Sequence, residues 1–277
     1  MAIRLQAMGD LVITLPYLQN LRNSLPQDAK LDLLTREEVE AIPRNIFLFD
    51  KVYSIGGGRD LKKQLFFTFM LLPRLTLRRY DVVIDLQNNI ISKIIRKGIR
   101  PKAWSEFERF SPVAAGECTR LAIEAIGINN PTANYGLRLR GSFSENEILN
   151  DNGWNIENEL VVLNPAGAFP SRHWPMENYV QFANLWKEHY PKTQFLVLGT
   201  SFIASKAAYL KNMLGENLID LTNKTTTIQA FAILQKAKLV ISEDSGLMHM
   251  SWISGIPTIA MFGSTWSARA RPLGYHT

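Results

Sequence analysis

The 277-residue chain has a single cysteine, Cys118, and four histidines. One cysteine excludes an internal disulfide and any cluster of thiolate metal ligands, and it is typical of a reducing cytoplasm. The histidines lack the spacing of metal ligands, and no D-x-D motif is present to hold a divalent ion. The sequence therefore predicts neither a bound metal nor another cofactor.

Long apolar runs are also missing. The longest, between residues 65 and 72, is interrupted by Thr68 and is far shorter than the roughly 20 residues of a bilayer-spanning helix. The N-terminal segment contains Arg4 and Asp10 and lacks the apolar core of a secretory signal. These features predict a cytoplasmic protein.

Three sequence signatures of common enzyme classes are absent. The chain has no G-x-S-x-G elbow, no Walker loop and no G-x-G-x-x-G fingerprint. The nearest approach to the fingerprint is Gly56-Gly57-Gly58, whose spacing differs from it. A Rossmann oxidoreductase is therefore disfavoured.

Positive charge is unevenly distributed along the chain. The net charge is +6, and residues 1–150 contribute +5 of it, from 21 Lys and Arg against 16 Asp and Glu. This excess is either an ordinary solvated face or an attraction to an anionic partner such as a phosphorylated lipid, a membrane surface or nucleic acid. No aromatic-interleaved motif or zinc spacing supports nucleic acid, so we predict no such partner. The basic residues cluster at Arg74, Arg78 and Arg79, and at Lys93, Arg96, Lys97, Arg100 and Lys102.

Apolar runs of strand length alternate with amphipathic segments, which predicts parallel sheets with helices on both faces. The polar segment 141–158 interrupts this alternation, and a capping box of Ser144 and Glu147 predicts a short helix inside it. We therefore predict two α/β domains in tandem, residues 1–155 and 156–277, with a cleft between them. Strands are predicted at 3–5, 31–34, 52–55, 81–86, 160–163, 195–198, 218–221, 239–241 and 258–262, and helices at 11–25, 60–77, 117–126, 177–190, 202–214, 228–236 and 247–254.

The loop Met8-Gly9-Asp10 follows the first predicted strand and precedes a helix. Gly9 allows a tight turn at this point. Asp10 then lies at the start of the helix, where Asp is a preferred N-cap residue. Alternatively, its carboxylate is a general base at the edge where parallel sheets bind ligands. The residues by themselves leave both roles open.

A second loop, NPAGAFPSRHWP at residues 164–175, follows the strand predicted at 160–163. Its small residues Gly167 and Ala168 let a ligand approach the backbone. Arg172 provides a permanent cation whose planar group matches a phosphate. His173 is either a packed or solvated histidine or a catalytic one. This loop is a candidate phosphate-binding segment.

The segment 238–263, KLVISEDSGLMHMSWISGIPTIAMFG, predicts one βαβ unit with a polar loop at the carboxyl end of its first strand. Asp244 or Ser245 is the predicted N-cap of the helix. Gly246 and the backbone N–H groups around it could bind a phosphate. His249 lies one turn into the helix, where it either packs in the core or faces the loop.

Four segments taken together resemble the bacterial heptosyltransferases of lipopolysaccharide core assembly, glycosyltransferase family nine. The resemblance covers nearly the whole chain, in order and with similar intervals. Its most specific part is D-S-G-x-x-H followed by P-T-x-x-x-F-G, and the N-terminal G-D and the R-H-W-P segment support it. The four segments are RLQAMGDLVITLP, YDVVIDLQ, LNPAGAFPSRHWPMENY and ISEDSGLMHMSWISGIPTIAMFGST.

This resemblance implies two facing Rossmann-like domains, the GT-B architecture. The first domain is expected to bind the acceptor and the second a nucleotide sugar, typically ADP-heptose. The implied reaction moves the heptose to a lipopolysaccharide core acceptor with inversion and without a metal. The implied location is the cytoplasm, in peripheral contact with the inner membrane, where the acceptor is a phosphorylated lipid or oligosaccharide.

The resemblance also implies roles for individual residues. Asp10 takes the proton of the acceptor hydroxyl, and Arg172, at a position where family members usually have Lys, stabilises the pyrophosphate leaving group. Asp244 holds the heptose. The implied donor-binding residues are Gly167, Ala168, Arg172, Asp244, Ser245, Gly246 and His249, and the implied acceptor-binding residues are Gly9, Arg78, Arg79 and Gln87.

The chain departs from the family pattern in three places. Its first strand is shorter than usual, segment 202–205 lacks the acidic residue that family members place near the nucleoside ribose, and family members continue beyond the position of Thr277. These departures keep two alternatives open. One is a transferase that uses another nucleotide sugar, because hexose and heptose sites differ by few contacts. The other is a non-catalytic protein that binds a nucleotide sugar or a partner.

Overall fold

The structure is a computed structural model that describes residues 1–108, 110–128 and 133–272. The chain divides into two compact units, Met1–Arg140 and Gly141–Thr277. Each unit is built on one five-stranded sheet whose strand pairs are all parallel, with helices in the connections. The predicted α/β class is therefore confirmed.

Unit 1 orders its strands β3-β2-β1-β4-β5, so the short first strand lies at the centre of the sheet. Its two residues pair with both neighbours, Ala2 with Leu33 and Ile84. The strands are β1 Ala2–Ile3, β2 Asp32–Arg36, β3 Lys51–Ile55, β4 Val82–Asp85 and β5 Ala103–Glu106; the helices are α1 Met8–Ser24, α2 Ala41–Arg44, α3 Leu61–Thr76, α4 Ile90–Ile99 and α5 Ala115–Glu124, with a 3₁₀ turn at Glu37–Val39.

Helices α3 and α4 pack on each other and on one core cluster of unit 1, which includes Ile3, Leu34 and Ile95. Gly98 of α4 permits the close approach, because a Cβ atom there would lie 2.6 Å from a methyl carbon of Leu72. Helix α3 ends near where the pattern predicts. No helix in the described ranges is long and apolar enough to cross a bilayer.

Helices α2 and α4 and strand β5 are the elements of unit 1 that the sequence did not predict. Helix α4 was predicted only as a cluster of cations. Its helical signals are the buried stripe of Ile91, Ile95 and Ile99 and the N-cap Asn89. Strand β5 lies at the sheet edge, and only Ser105 of its four residues is buried. An exposed edge strand lacks the apolar alternation by which strands are recognised.

Unit 2 orders its strands β10-β9-β6-β7-β8. All the strands and helices predicted for this half are present, with ends shifted by a few residues. The strands are β6 Glu159–Asn164, β7 Thr193–Gly199, β8 Leu218–Thr222, β9 Ala237–Glu243 and β10 Thr258–Met261; the helices are α6 Glu145–Asp151, α7 Met176–His189, α8 Ala204–Leu214, α9 Thr227–Leu234, α10 Gly246–Ile253 and α11 Ser267–Ala270, with 3₁₀ turns at Pro170–Arg172, Ser201–Ile203 and Gly215–Asn217.

The boundary between the units follows Arg140, whereas the sequence analysis placed it after residue 155. Arg140 belongs to unit 1 because its Nε and Nη2 each donate to a backbone oxygen there, of Ile46 and of Phe49, at 2.7 Å. The next helix, α6, contacts α9 and so belongs to unit 2. The short helix is confirmed, but its predicted capping box is wrong: Ser144 has φ 58° and its side chain makes no capping hydrogen bond.

Replacing Arg140 with Lys tests this anchor. Lysine keeps the charge but cannot donate to both oxygens, so we expect unit 1 to lose about 1 kcal/mol of stability. Urea unfolding would measure the loss. The exposed Arg138, replaced by Lys, is the matched control and should unfold like the native protein. Equal midpoints for both variants would contradict the proposed anchoring.

Candidate functional site

The carboxyl ends of β6 and β9 form the floor of the candidate site in unit 2. These neighbouring strands place Asn164 opposite Ser242. Asn164 Nδ2 donates to Ser242 Oγ at 2.7 Å and to Ser245 Oγ at 2.8 Å. Ser245, one of the two predicted N-caps, caps α10 by accepting the N–H of Met248. Its hydroxyl is therefore committed to holding the loop and the helix start together.

Glu243 is a fully buried carboxylate at the end of β9. Its Oε2 accepts the N–H of Gly167 at 2.7 Å, and its Oε1 accepts the N–H of Trp174 at 2.8 Å. The ammonium of Lys206 lies 3.5 Å from Oε2 and donates to the carbonyl of Pro165 at 2.7 Å. A buried charge is tolerated only when it is paired and hydrogen-bonded in this way. Glu243 thus fixes both ends of the loop at 164–175.

The surroundings of Glu243 extend to Tyr179 of α7. Burial, and secondarily the nearby Glu243 carboxylate, raise the pKa of the Tyr179 hydroxyl. That hydroxyl donates to the carbonyl of Asn164 at 3.3 Å. Neither Glu243 nor Lys206 was identified from the sequence, because a carboxylate at a strand end and a lysine on a helix are usually solvated. The only available signal was a charged residue closing an otherwise apolar strand.

Gly167 serves the loop itself. Its N–H is bound to Glu243, and a Cβ atom at this position would lie 2.8 Å from Glu243 Oε2 and 3.1 Å from Arg172. The ring of His173 donates from Nε2 to the carbonyl of Gly167 at 2.9 Å. The sequence analysis expected ligand access at Gly167, whereas the structure fills that space with protein. Ala168, the next residue, is exposed.

Arg172 and Asp244 form the charged centre of the site. Arg172 Nη1 lies 2.9 Å from Asp244 Oδ2, which also accepts the hydroxyl of Thr265 at 2.7 Å. The guanidinium packs over the ring of Phe169, 5.0 Å from its centroid. Two buried polar atoms, Arg172 Nε and Asn164 Oδ1, have no hydrogen-bond partner among the residues that the structure describes. Such atoms are expected where a bound ligand or water completes a site.

The segment after β10 closes the site from the other side. Ser264 donates its N–H to the carbonyl of Ser171 at 3.1 Å, and the two hydroxyl oxygens are 2.7 Å apart. A Cβ atom at Gly263 would lie 1.9 Å from the carbonyl oxygen of Ser171. This contact explains the glycine that ends P-T-x-x-x-F-G, and it brings Thr265 to Asp244.

His249 is buried in α10. Its Nδ1 accepts the indole N–H of Trp252 at 3.2 Å. An indole nitrogen only donates, so the neutral ring carries its proton on Nε2. This is the arrangement of a packed histidine, although the residue lies one turn from Gly246, the first residue of the helix.

Asp10 occupies the third position of α1, whose N-cap is Ala7. Of the two roles left open for Asp10, the N-cap is therefore excluded, and Gly9 lies inside the first helical turn instead of in a turn before it. Asp10 Oδ2 accepts the N–H of Ala7 at 3.0 Å, and Oδ1 lies 3.2 Å from Nη2 of Arg4. About half of the Asp10 side chain, 48%, is still exposed.

Arg4 is the buried cation that pairs with Asp10. The Arg4 side chain is 7% exposed, donates to the carbonyl of Leu86 and lies over the ring of Phe107 at 4.9 Å. Burial lowers the pKa of the Arg4 guanidinium, and the Asp10 carboxylate opposes that shift. Because Arg4 is held on several sides, it fixes the direction of the Asp10 carboxylate. In the sequence, Arg4 is recognisable only as a charge near the chain start.

The structure separates the predicted acceptor-binding residues of unit 1. Gln87 lies near Asp10, but its Oε1 accepts the N–H groups of Leu5 at 2.9 Å and Gln6 at 3.1 Å. Arg78 and Arg79 precede β4 and so lie at the amino ends of the strands, opposite the edge that carries Asp10. Arg78 donates to the Tyr53 hydroxyl at 3.2 Å and lies 3.8 Å from Asp32.

Across the described residues, no group of three or more His, Cys, Asp or Glu side chains is arranged to hold a metal ion.

A family model described as glycosyltransferase family 9 (heptosyltransferase) matches residues 69–277. The chain belongs to glycosyltransferase family 9. The predicted resemblance is confirmed, and so is the enzyme class, a glycosyltransferase of the heptosyltransferase family.

Individual members of family 9 are similar over most of the chain. The lipopolysaccharide core heptosyltransferase OpsX of Haemophilus influenzae is 23% identical, over 98% of this chain and 80% of its own length. Among solved structures, a family 9 glycosyltransferase from Veillonella parvula has a TM-score of 0.86 at 17% identity, covering 99% of this chain and 83% of its own. The Escherichia coli heptosyltransferase WaaC with ADP has a TM-score of 0.73 at 19% identity, covering 99% and 90%. At these identities the structures establish the shared fold.

Replacing Glu243 tests whether it holds the loop at 164–175 in place. Glu243→Gln leaves an amide nitrogen facing a backbone donor and weakens the contact with Lys206, so we expect a loss of about 1–3 kcal/mol in unfolding free energy. Glu243→Ala should cost roughly 3–5 kcal/mol, because Lys206 is left without its counter-charge. Urea unfolding measures both. Exposed Glu188, replaced by Gln, is the control, and a Glu243→Gln protein as stable as this control would refute the assignment.

Proposed function

We propose that the protein transfers a heptose from ADP-heptose to a lipopolysaccharide core acceptor, with inversion and without a metal. The observation that carries this proposal is the joint placement of Arg172, Asp244 and the start of α10 at one sheet edge, in a member of family 9. The relative WaaC is known with ADP, which supports ADP as the nucleotide part of the donor.

The donor side of the proposal rests on the charge of the leaving diphosphate. Without a metal, that charge must be stabilised by cations and N–H donors. Arg172 offers a guanidinium whose Nε has no hydrogen-bond partner in the described part of the chain, and α10 offers the N–H groups of its first turn at Gly246. Asp244, held by Arg172 and Thr265, is the proposed partner of the heptose hydroxyls. The exposed Ala168 borders the diphosphate in this proposal.

The acceptor side rests on Asp10. Its carboxylate is half exposed and its direction is fixed by Arg4, so a substrate hydroxyl can reach it as a general base requires. The acceptor hydroxyl gives its proton to Asp10 while its oxygen forms a bond to C1 of the heptose. The bond from C1 to the β-phosphate oxygen breaks, and ADP leaves with the electron pair. A single displacement of this kind inverts the configuration at C1.

The acceptor class follows from the net charge of the N-terminal half. A phosphorylated lipid or oligosaccharide at the inner membrane face complements its +5 excess. Gly9 and Gln87 stay predicted neighbours of the acceptor, near Asp10. Arg78 and Arg79, at the other sheet edge, are better suited to general attraction than to contact with the reacting hydroxyl.

Asp10→Asn tests the proposed base. Asparagine keeps an oxygen for the Ala7 N–H but cannot take the proton, so transfer should fall by about 10²–10⁴-fold. Affinity for ADP, measured by calorimetry, should stay unchanged. Asp28→Asn, at an exposed position of the same unit, is the control. Undiminished heptose transfer by a folded Asp10→Asn protein would exclude Asp10 as the base.

Arg172→Ala tests the proposed phosphate contact. Loss of a charged hydrogen bond should weaken ADP binding by about 10- to 100-fold, and Arg172→Lys should retain part of the affinity. Arg138→Ala, at an exposed position of unit 1, is the control.

Titration of the native protein with UDP and GDP distinguishes the alternative functions. Preference for either nucleotide assigns another nucleotide sugar, and binding of ADP-heptose without turnover assigns a non-catalytic role.

A further inference from the structure

Helix α3 of unit 1 presents large apolar side chains to solvent. Residues at i, i+4, i+7 and i+11 share one face of a helix, and here that outward stripe is Phe66, Met70, Pro73 and Leu77. Phe66 is 60% exposed, Met70 66% and Leu77, which directly follows the helix, 83%. Phe67 and Phe69 beside the stripe are exposed as well. A helix that packs on a core in water normally has polar residues on this face.

The opposite face of α3 already supplies the core. Thr68 and Leu75 are buried, and Leu65, Leu71 and Leu72 pack against the core cluster of unit 1. The outward apolar residues are therefore additional to those that fold the unit. A contiguous exposed apolar surface of this kind marks an interaction site.

Cations outnumber anions around this surface, where Asp60 caps the start of α3 and Glu106 pairs with Arg96 of α4. Neither residues 61–80 nor residues 86–105 contain an Asp or Glu. Helix α4, which packs beside α3, adds its own cations to those of α3. We call this surface the α3–α4 face; its exposed cations are Lys62, Lys63, Arg74, Lys93, Lys97 and Arg100.

We propose that the α3–α4 face docks on the surface of an anionic phospholipid bilayer. Amphipathic helices at a membrane bury aromatic and aliphatic side chains at the headgroup level and place Lys and Arg near the lipid phosphates. The composition of the face has both parts. A symmetric contact between two copies of the chain would set these cations against each other. The inference deepens the peripheral contact in the proposed function and rests on it for the location of the acceptor.

Sedimentation of the full chain with vesicles tests the docking. Vesicles of phosphatidylcholine with phosphatidylglycerol, free of acceptor and nucleotide, should bind the protein, whereas phosphatidylcholine alone should bind it weakly. High salt should release it, because screening shortens the range of the attraction. Absence of binding to the anionic vesicles overturns the proposal.

Two variants locate the contact. Lys62→Glu with Lys63→Glu should lower binding by more than about 25-fold, since each cation near an anionic surface contributes about fivefold. Phe66→Ser with Met70→Ser and Leu77→Ser should lower it by at least about tenfold. The matched controls in unit 2 are Lys192→Glu with Lys236→Glu, and Ile156→Ser with Leu185→Ser and Met213→Ser; equal losses in variants and controls overturn the proposal.

Two further measurements keep the outcomes distinct. Light scattering reports the oligomeric state, and a dimer that the triple serine variant dissociates, with vesicle binding unchanged, would assign the face to contact between copies and overturn the proposal. Calorimetry with ADP on the same proteins reports the donor site separately. Loss of vesicle binding with intact ADP affinity supports the docking surface, whereas failure of the native protein to bind ADP counts against the proposed function alone.

Discussion

A carboxylate without access to water must be surrounded by donors, and in unit 2 that carboxylate is Glu243. The loop after β6 supplies two backbone N–H groups and Lys206 supplies the counter-charge. Removing any of these leaves a charge in a medium that solvates it poorly. The loop therefore has one favourable path, which carries Arg172 to Asp244. The position of Arg172 is in this sense a consequence of the buried Glu243.

Unit 1 uses a related arrangement with the charges exchanged. There the buried group is the cation, Arg4, and the more exposed group is the anion, Asp10. In both units a buried charge, held by backbone groups, orients the side chains proposed for the site, Arg172 and Asp10, at the carboxyl edge of a parallel sheet. A rigid support of this kind reduces the reorganisation needed when substrate arrives.

The sequence predicted the elements whose signals are local. Ser245 before an apolar helix predicted the start of α10. Strands such as β6 were predicted because a buried strand is a continuous run of apolar residues. The missed features depend on contacts distant in sequence. Glu243 and Lys206 are 37 residues apart in the chain. Thr265 follows the edge strand β10, and pairing of β10 with β9 brings it to Asp244. Arg78 precedes β4 and Asp10 follows β1, so the two residues lie at opposite ends of parallel strands. A cluster of charges in the sequence does not reveal this separation.

The hydrogen bond between the Ser264 amide and the Ser171 carbonyl lies next to Arg172 in the chain. A shift of the Arg172 backbone away from the Ser264 segment would lengthen this bond, and the two segments pack closely at Gly263. The Ser264 amide is accordingly protected from solvent only while this bond is intact. Its exchange with solvent deuterium therefore reports how often the Ser171 and Ser264 segments separate, in a part of the chain that carries no proposed catalytic group.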